Sequence, residues 1–234
     1  MMSGELPAPD YGQIAAVIPA AGIGKRMQSE IPKQYLQLHG KTILEHSANV
    51  LLQLPVSLVI ALSAEDAYFS TTPLATNPDV QTVIGGAERA YSVLAALKHL
   101  DAKQFPWVLV HDAARPLVQL RDIQQLIQQC WQSGQGGILA CPVRDTMKRG
   151  QLRVEQTVER ASLWHALTPQ LFPTETLRQA LSQALSAGIT ITDEASAMEW
   201  AGQPVQLIEG RSDNIKVTQP EDLALAGFYL ESRA

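Results

Sequence analysis

The chain has 234 residues, 46% of them hydrophobic and 18% charged. That is ample apolar material for a core, with no charge excess of the kind that keeps a chain unfolded. Its 18 Lys and Arg against 23 Asp and Glu give a net charge of −5, which argues against a partner such as nucleic acid or an anionic membrane bound through general positive charge. No apolar run approaches the ~18 residues needed to cross a bilayer. The short, loose start carries Pro7 and Pro9 and lacks the segments of a signal peptide, so one cytoplasmic domain, residues 1–234, is expected. Cys130 and Cys141 have no CxxC spacing and are expected to be buried thiols in a reducing compartment.

Ile14 to Pro19 reads as a buried strand followed by small residues and glycines. Thr42 to Leu54 has helical periodicity, with Thr42 and Glu45 spaced as a capping box. Strands are expected at Val56 to Leu62, Val80 to Ile84, Trp107 to Val110 and Gly136 to Pro142, and helices at Glu88 to Leu100 and Gln119 to Trp131. Continuous apolar strands alternating with helices imply an α/β fold, a mostly parallel sheet covered on both faces. Between Cys141 and Leu167 the pattern changes to alternating polar and apolar residues around Gly150. This segment reads as an exposed hairpin without a core of its own, over residues 143–163: either a floppy excursion or, as the favoured reading, an arm that packs on another subunit. Helices are expected again at Thr174 to Ala187 and Asp193 to Ala201, a strand at Pro204 to Ile208, and a last helix after Thr218, with Glu221 in a second Thr-x-x-Glu start and Pro220 in its first turn.

Ligands of parallel sheets bind outside the carboxyl ends of the strands. Three of those ends carry unusual loops: Pro19 to Met27 with Pro32-Lys33, Gly85 to Arg89, and His111 to Pro116. In the first, Ala20, Ala21, Gly22 and Gly24 let backbone amides approach phosphate oxygens, and Lys25, Arg26 and Lys33 add charge. It is no dinucleotide fingerprint, because Met27 stands where a third glycine is needed. Nor is it a Walker loop, because Arg26 follows Gly24-Lys25. Gly86 would bring backbone near a base or ribose, and the Ser92 hydroxyl could read a base edge. Asp112 could hold sugar hydroxyls or a divalent ion, and Arg115 could pair with a phosphate. Taken singly, these loops also read as a tight turn with solvated cations and a surface ion pair; their convergence is what points to a triphosphate site.

The motifs Pro19-Ala20-Ala21-Gly22-x-Gly24-x-Arg26-Met27 with Pro32-Lys33-Gln34-Tyr35, Val110 to Pro116, Val143 to Lys148, Trp164 to Gln170, Thr192 to Ala195 and Asp213 to Thr218 together resemble the 2-C-methyl-D-erythritol 4-phosphate cytidylyltransferase family. The resemblance spans nearly the whole chain. It implies a single Rossmann-like nucleotidyltransferase domain, a twisted sheet with a protruding β-arm, and a homodimer in which the arm completes the partner's site. It also implies cytidylyl transfer from CTP to a polyol phosphate, with Mg2+ on the triphosphate, in isoprenoid precursor biosynthesis. By the same resemblance, Arg26 and Lys33 would stabilise the transition state, and Arg160 and Lys216 would hold the acceptor phosphate. Asp112, Ala113, Arg115, Thr146, Thr168 and Thr192 would contact the rest of the acceptor, and Ala20, Ala21, Gly22, Gly86 and Ser92 the cytidine end. Ala87 departs from the family, which commonly has an acidic residue there, so only a backbone role survives at that position; Lys25 is often Arg in relatives. Two other readings compete: a cytidylyltransferase acting on ribitol 5-phosphate, and a non-catalytic nucleotide-binding module. Thr146, Thr168 and Thr192 favour methylerythritol phosphate, and the four cations at 26, 33, 160 and 216 favour catalysis over binding alone.

Overall fold

A computed structural model describes residues 8–22 and 31–233. Seven strands form one sheet. In chain order they are β1 (Ile14–Pro19), β4 (Ser57–Leu62), β5 (Val80–Ile84), β6 (Trp107–Val110), β7 (Gly137–Pro142), β10 (Trp164–Pro173) and β11 (Gln206–Glu209). Their spatial order is β11-β7-β10-β6-β1-β4-β5. All neighbours are parallel except β10, which runs antiparallel to both β6 and β7. From β1 the chain builds outward through β4 and β5, then returns to place β6 on the other side of β1. The sheet's direction of growth reverses there, opening a crevice at the carboxyl ends of β1 and β6.

Side chains alternate across the sheet with period two. Ile14, Ala16, Ile18 and Leu109 pack with α1 (Ile43–Leu51) and α3 (Leu120–Ser133) on one face. Ala15, Val17, Val108 and Val110 pack with α2 (Arg89–His99), α4 (Thr174–Ser186) and α5 (Glu194–Trp200) on the other. Burial on both faces explains why β1 and β6 read as unbroken apolar runs. A third cluster of Leu38, Ile43, Leu117 and Val217 seats α6 (Pro220–Glu231) beside the crevice. Among the described residues, no helix is long and apolar enough to cross a membrane.

The Thr42 capping box forms as expected: the hydroxyl accepts from the Glu45 amide at 3.1 Å, and the Glu45 carboxylate accepts from the Thr42 amide at 2.7 Å. The second expected box does not. With Pro220 as the first helical residue, Gln219 becomes the cap, and the carboxylate three residues on is Asp222, which accepts from the Thr218 and Gln219 amides. A strand over Trp164–Pro173 was not expected from the sequence at all. A two-stranded sheet of β2 (Gln37–Leu38) and β3 (Lys41–Thr42) is likewise new. The hairpin read from residues 143–163 is present as β8 (Met147–Gly150) and β9 (Val154–Val158), paired only with each other, with Leu152 and Val154 exposed near its tip.

Candidate active site

A cleft of about 350 Å³ lies at the crevice, lined by Ala20, Ala21, Gly22, Lys33, Gly86, Arg89, Ser92, Asp112, Ala113 and Lys216 among others. The three strand-end loops therefore do converge. Each has its own anchor. Ala20 remains on the sheet because its amide N–H donates a hydrogen bond to the Ala61 carbonyl, and its own carbonyl accepts from Gln34 Nε2 at 2.7 Å. Gln34 and Tyr35 are buried in a single helical turn over 33–35, with the Tyr35 hydroxyl donating to Asp66. That turn aims Lys33 at the cleft, where its ammonium also donates to the Val217 carbonyl at 3.1 Å. Gly24, Lys25 and Arg26 lie outside the described residues.

The second loop is held by Ser92, whose hydroxyl accepts from the Gly86 amide at 3.1 Å and donates to the Glu88 carbonyl at 3.2 Å. Ser92 thus shapes the loop rather than simply reading a base. The glycines are needed because the backbone passes so close: a Cβ on Gly85 would lie 2.7 Å from Ala21 Cβ, and one on Gly86 2.3 Å from Tyr91 Cβ.

The third loop holds the charges. Asp112 is buried, with Arg89 Nε at 2.7 Å from Oδ1, Lys216 Nζ at 2.8 Å from Oδ2 and Arg115 Nε at 3.8 Å. Burial alone would raise its pKa, but the field of Arg89, with Lys216 and Arg115, holds it well below the usual carboxylate range. Asp112 is a carboxylate at any physiological pH. Both oxygens already face cations, and among the described residues no group of three His, Cys, Asp or Glu could hold a metal ion. With Arg89 and Lys216 in those places, the described residues around Asp112 form no metal-ligating set of their own. Arg115 belongs to the same network. It is buried, and its guanidinium donates to the carbonyls of Asn214 at 2.7 Å and Ala166 at 3.4 Å, bracing the loop.

His111 shows how the loop is locked. A carbonyl can only accept, so Nε2, 3.1 Å from the Arg115 carbonyl, carries the proton, and Nδ1 accepts from the Thr168 hydroxyl at 3.0 Å. That hydroxyl in turn accepts from the Asp112 amide at 3.0 Å. Thr168 sits where the pairing of β10 with β7 shifts register between Ala166 and Gln170. The bulge leaves the Thr168 carbonyl for Asn214 Nδ2 at 2.8 Å, tying β10 to the segment that bears Lys216. Complete burial pushes the His111 pKa down to about 4 from 6.5.

This sets a pH dependence. Between pH 6.5 and about 4 the unfolded chain protonates this imidazole and the folded chain does not, so stability rises with pH across that window, by roughly 3 kcal/mol from this group. Urea midpoints measured from pH 7 to 4 should fall more steeply for the wild type than for His111→Asn. Equal slopes would contradict the neutral, locked imidazole.

Thr168 and Thr192 line a smaller cavity of about 220 Å³ on the far side of Asp112, together with Arg89, Arg115, Gln170, Asp193 and Lys216. Thr146 and Arg160 are not brought to it. Both lie exposed on the arm and line neither cavity of their own chain, Arg160 donating instead to the Arg144 carbonyl. Arg89, Glu194 and Gln170 are site residues that sequence reasoning left without a role. Their only signal was position: Arg89 closes the second strand-end loop, and Gln170 and Glu194 fall in two of the quoted motifs.

The family model described as 2-C-methyl-D-erythritol 4-phosphate cytidylyltransferase matches residues 14–232. A protein of that name from Vibrio vulnificus is 57% identical over 223 residues, covering 93% of this chain and 94% of its own. One from Citrobacter koseri is 58% identical over 222 residues, covering 93% and 95%. The crystal structure of the Francisella tularensis 2-C-methyl-D-erythritol 4-phosphate cytidylyltransferase superposes with a TM-score of 0.79 at 35% identity, covering 92% of this chain and 99% of that one. A family match from the first strand to the last helix, with relatives more than half identical over nearly the whole chain, shows that the chain belongs to the 2-C-methyl-D-erythritol 4-phosphate cytidylyltransferase family.

Proposed function

We infer that this protein transfers a cytidylyl group from CTP to 2-C-methyl-D-erythritol 4-phosphate, releasing pyrophosphate and forming 4-diphosphocytidyl-2-C-methyl-D-erythritol. The observation that carries the reading is the meeting, in one cleft, of Lys33 from the first strand-end loop and Lys216 from the C-terminal segment. An oxygen of the acceptor phosphate attacks the α-phosphorus of CTP in line. The new P–O bond forms as the bond to the β-phosphate bridge breaks, and pyrophosphate leaves with that electron pair. The attacking oxygen is already anionic, so no base has to remove a proton. What the chain must do is hold two anions together against their repulsion and neutralise the charge that grows on the leaving group.

Lys33 lies where the triphosphate would enter and acts on the charge of the transition state. The cytidine end rests on Ala20, Ala21, Gly22 and the Gly86 loop. Lys216, oriented by Asp112, receives the acceptor phosphate in the adjoining cavity, with Ala113, Thr168 and Thr192 around the polyol. A divalent ion, when bound with the triphosphate, would supply further charge neutralisation. Thr146 and Arg160 serve the site of a partner subunit: the arm pairs with nothing in its own sheet and carries exposed Leu152 and Val154 near its tip, which favours a homodimer built through it. The two buried thiols accord with a cytoplasmic location.

Pyrophosphate release should require CTP and methylerythritol phosphate together, and fall sharply with ribitol 5-phosphate, ATP or UTP. Equal or faster turnover with ribitol 5-phosphate would replace this reading with the sister activity, and binding of CTP without turnover would replace it with a nucleotide-binding module.

A further inference from the structure

Asp112 stands between the nucleotide cleft and the acceptor cavity, and both Arg89 and Lys216 line the two; Arg89 touches Asp112 at 2.7 Å through Nε, and Lys216 holds the other carboxylate oxygen. The other end of the Arg89 guanidinium is not available to a ligand. Its two terminal nitrogens grip the two oxygens of Glu194 at 2.7 and 2.9 Å, and Glu194 is completely buried. Glu194 is itself held fast. It is the first residue of α5, directly after the cap Asp193, whose carboxylate accepts from the Ser196 amide at 2.9 Å. Gln170 of β10 clamps the same turn, accepting from the Ala195 amide and donating to Asp193, both at 2.9 Å.

We propose that Arg89, fixed by Glu194, is a positioning residue: it sets the Asp112 carboxylate so that the second oxygen holds the Lys216 ammonium toward the acceptor phosphate. This rests on the function inferred above. A planar guanidinium bonded along two edges to two carboxylates has no freedom to rotate, whereas an ammonium would. Cutting the clamp leaves Asp112 Oδ1 without its fixed donor, and the carboxylate can swing toward Arg115 and away from Lys216. The acceptor side should suffer and the cytidine side should not, because the Gly86 loop is pinned by Ser92 and not by the Arg89 side chain.

The test is steady-state kinetics by pyrophosphate release for Glu194→Gln, Arg89→Lys and the double variant. Each single change should raise KM for methylerythritol phosphate by about tenfold or more and leave KM for CTP within about threefold. The double variant should be no worse than the worse single one, since both changes open the same clamp. Parallel increases in both KM values, or effects that multiply, would overturn the proposal. If Glu194→Gln melts below the assay temperature, Arg89→Lys, which keeps the charge on a side chain 25% exposed, decides the matter by the same split. Absence of turnover in the wild type would instead refute the inferred activity and the clamp's purpose with it, whereas wild-type turnover with no split refutes the clamp alone.

Discussion

Lys33→Ala is expected to lower kcat by about 10² to 10³, the range typical for losing one preorganised transition-state contact, while KM for CTP changes by only a few fold. The asymmetry follows from the way the cleft is built. The cytidine end rests on backbone: Ala20 fixed by Ala61 and Gln34, and the Gly86 loop fixed by Ser92. None of these anchors uses the Lys33 side chain. The Lys33 backbone is secured by buried Gln34 and Tyr35, so alanine removes the ammonium without moving the turn. A charge that matters chiefly when pyrophosphate departs appears in kcat and not in ground-state affinity. A rise in KM for CTP with kcat preserved would reassign Lys33 to simple nucleotide binding.

Mixing two inactive variants should restore activity if sites are shared between subunits. In a dimer of one Lys33→Ala chain and one Arg160→Ala chain, one site combines both defects. The other takes Lys33 from the second chain and Arg160 from the first, and is intact. With free exchange about half of the dimers are mixed, so about a quarter of the wild-type activity should return. Arg160 lies on the exposed arm, lines neither cavity of its own chain, and belongs to a hairpin paired only with itself. Proven exchange with no recovery would place Arg160 outside the reaction or return it to its own subunit.

The parts of this protein that could be read from its sequence are those with a local physical cause. β1 and β6 are buried on both faces, so their apolar runs end where the strands end. Because the sheet is parallel there, the loops after them had to hold the site. The Thr42–Glu45 cap is a contact over three residues and was equally legible. Pro220 shifted the cap of α6 by one residue, because a proline at the first helical position makes its predecessor the cap. β10 left no clear trace: its first three residues are exposed, the next six are buried, and an irregularity between Ala166 and Gln170 breaks the period. Arg89 and Glu194 are 105 positions apart, and nothing in their neighbourhoods records that they meet. Strand ends pointed to Asp112 as a charge facing a ligand; only the fold reveals that its charge is spent on three cations.

In the proposed reaction, positive side chains from distant parts of the sequence, and from two chains, gather at one phosphorus atom. A crystal structure of the dimer with CTP and methylerythritol phosphate, captured using the slow Lys33→Ala variant, tests it most directly. The acceptor phosphate should lie within hydrogen-bonding distance of Lys216 and of Arg160 of the partner subunit, in line with the α-phosphorus, and residue 33 should face the triphosphate. An acceptor phosphate bound away from Lys216, or an arm that reaches no neighbouring cleft, would contradict it.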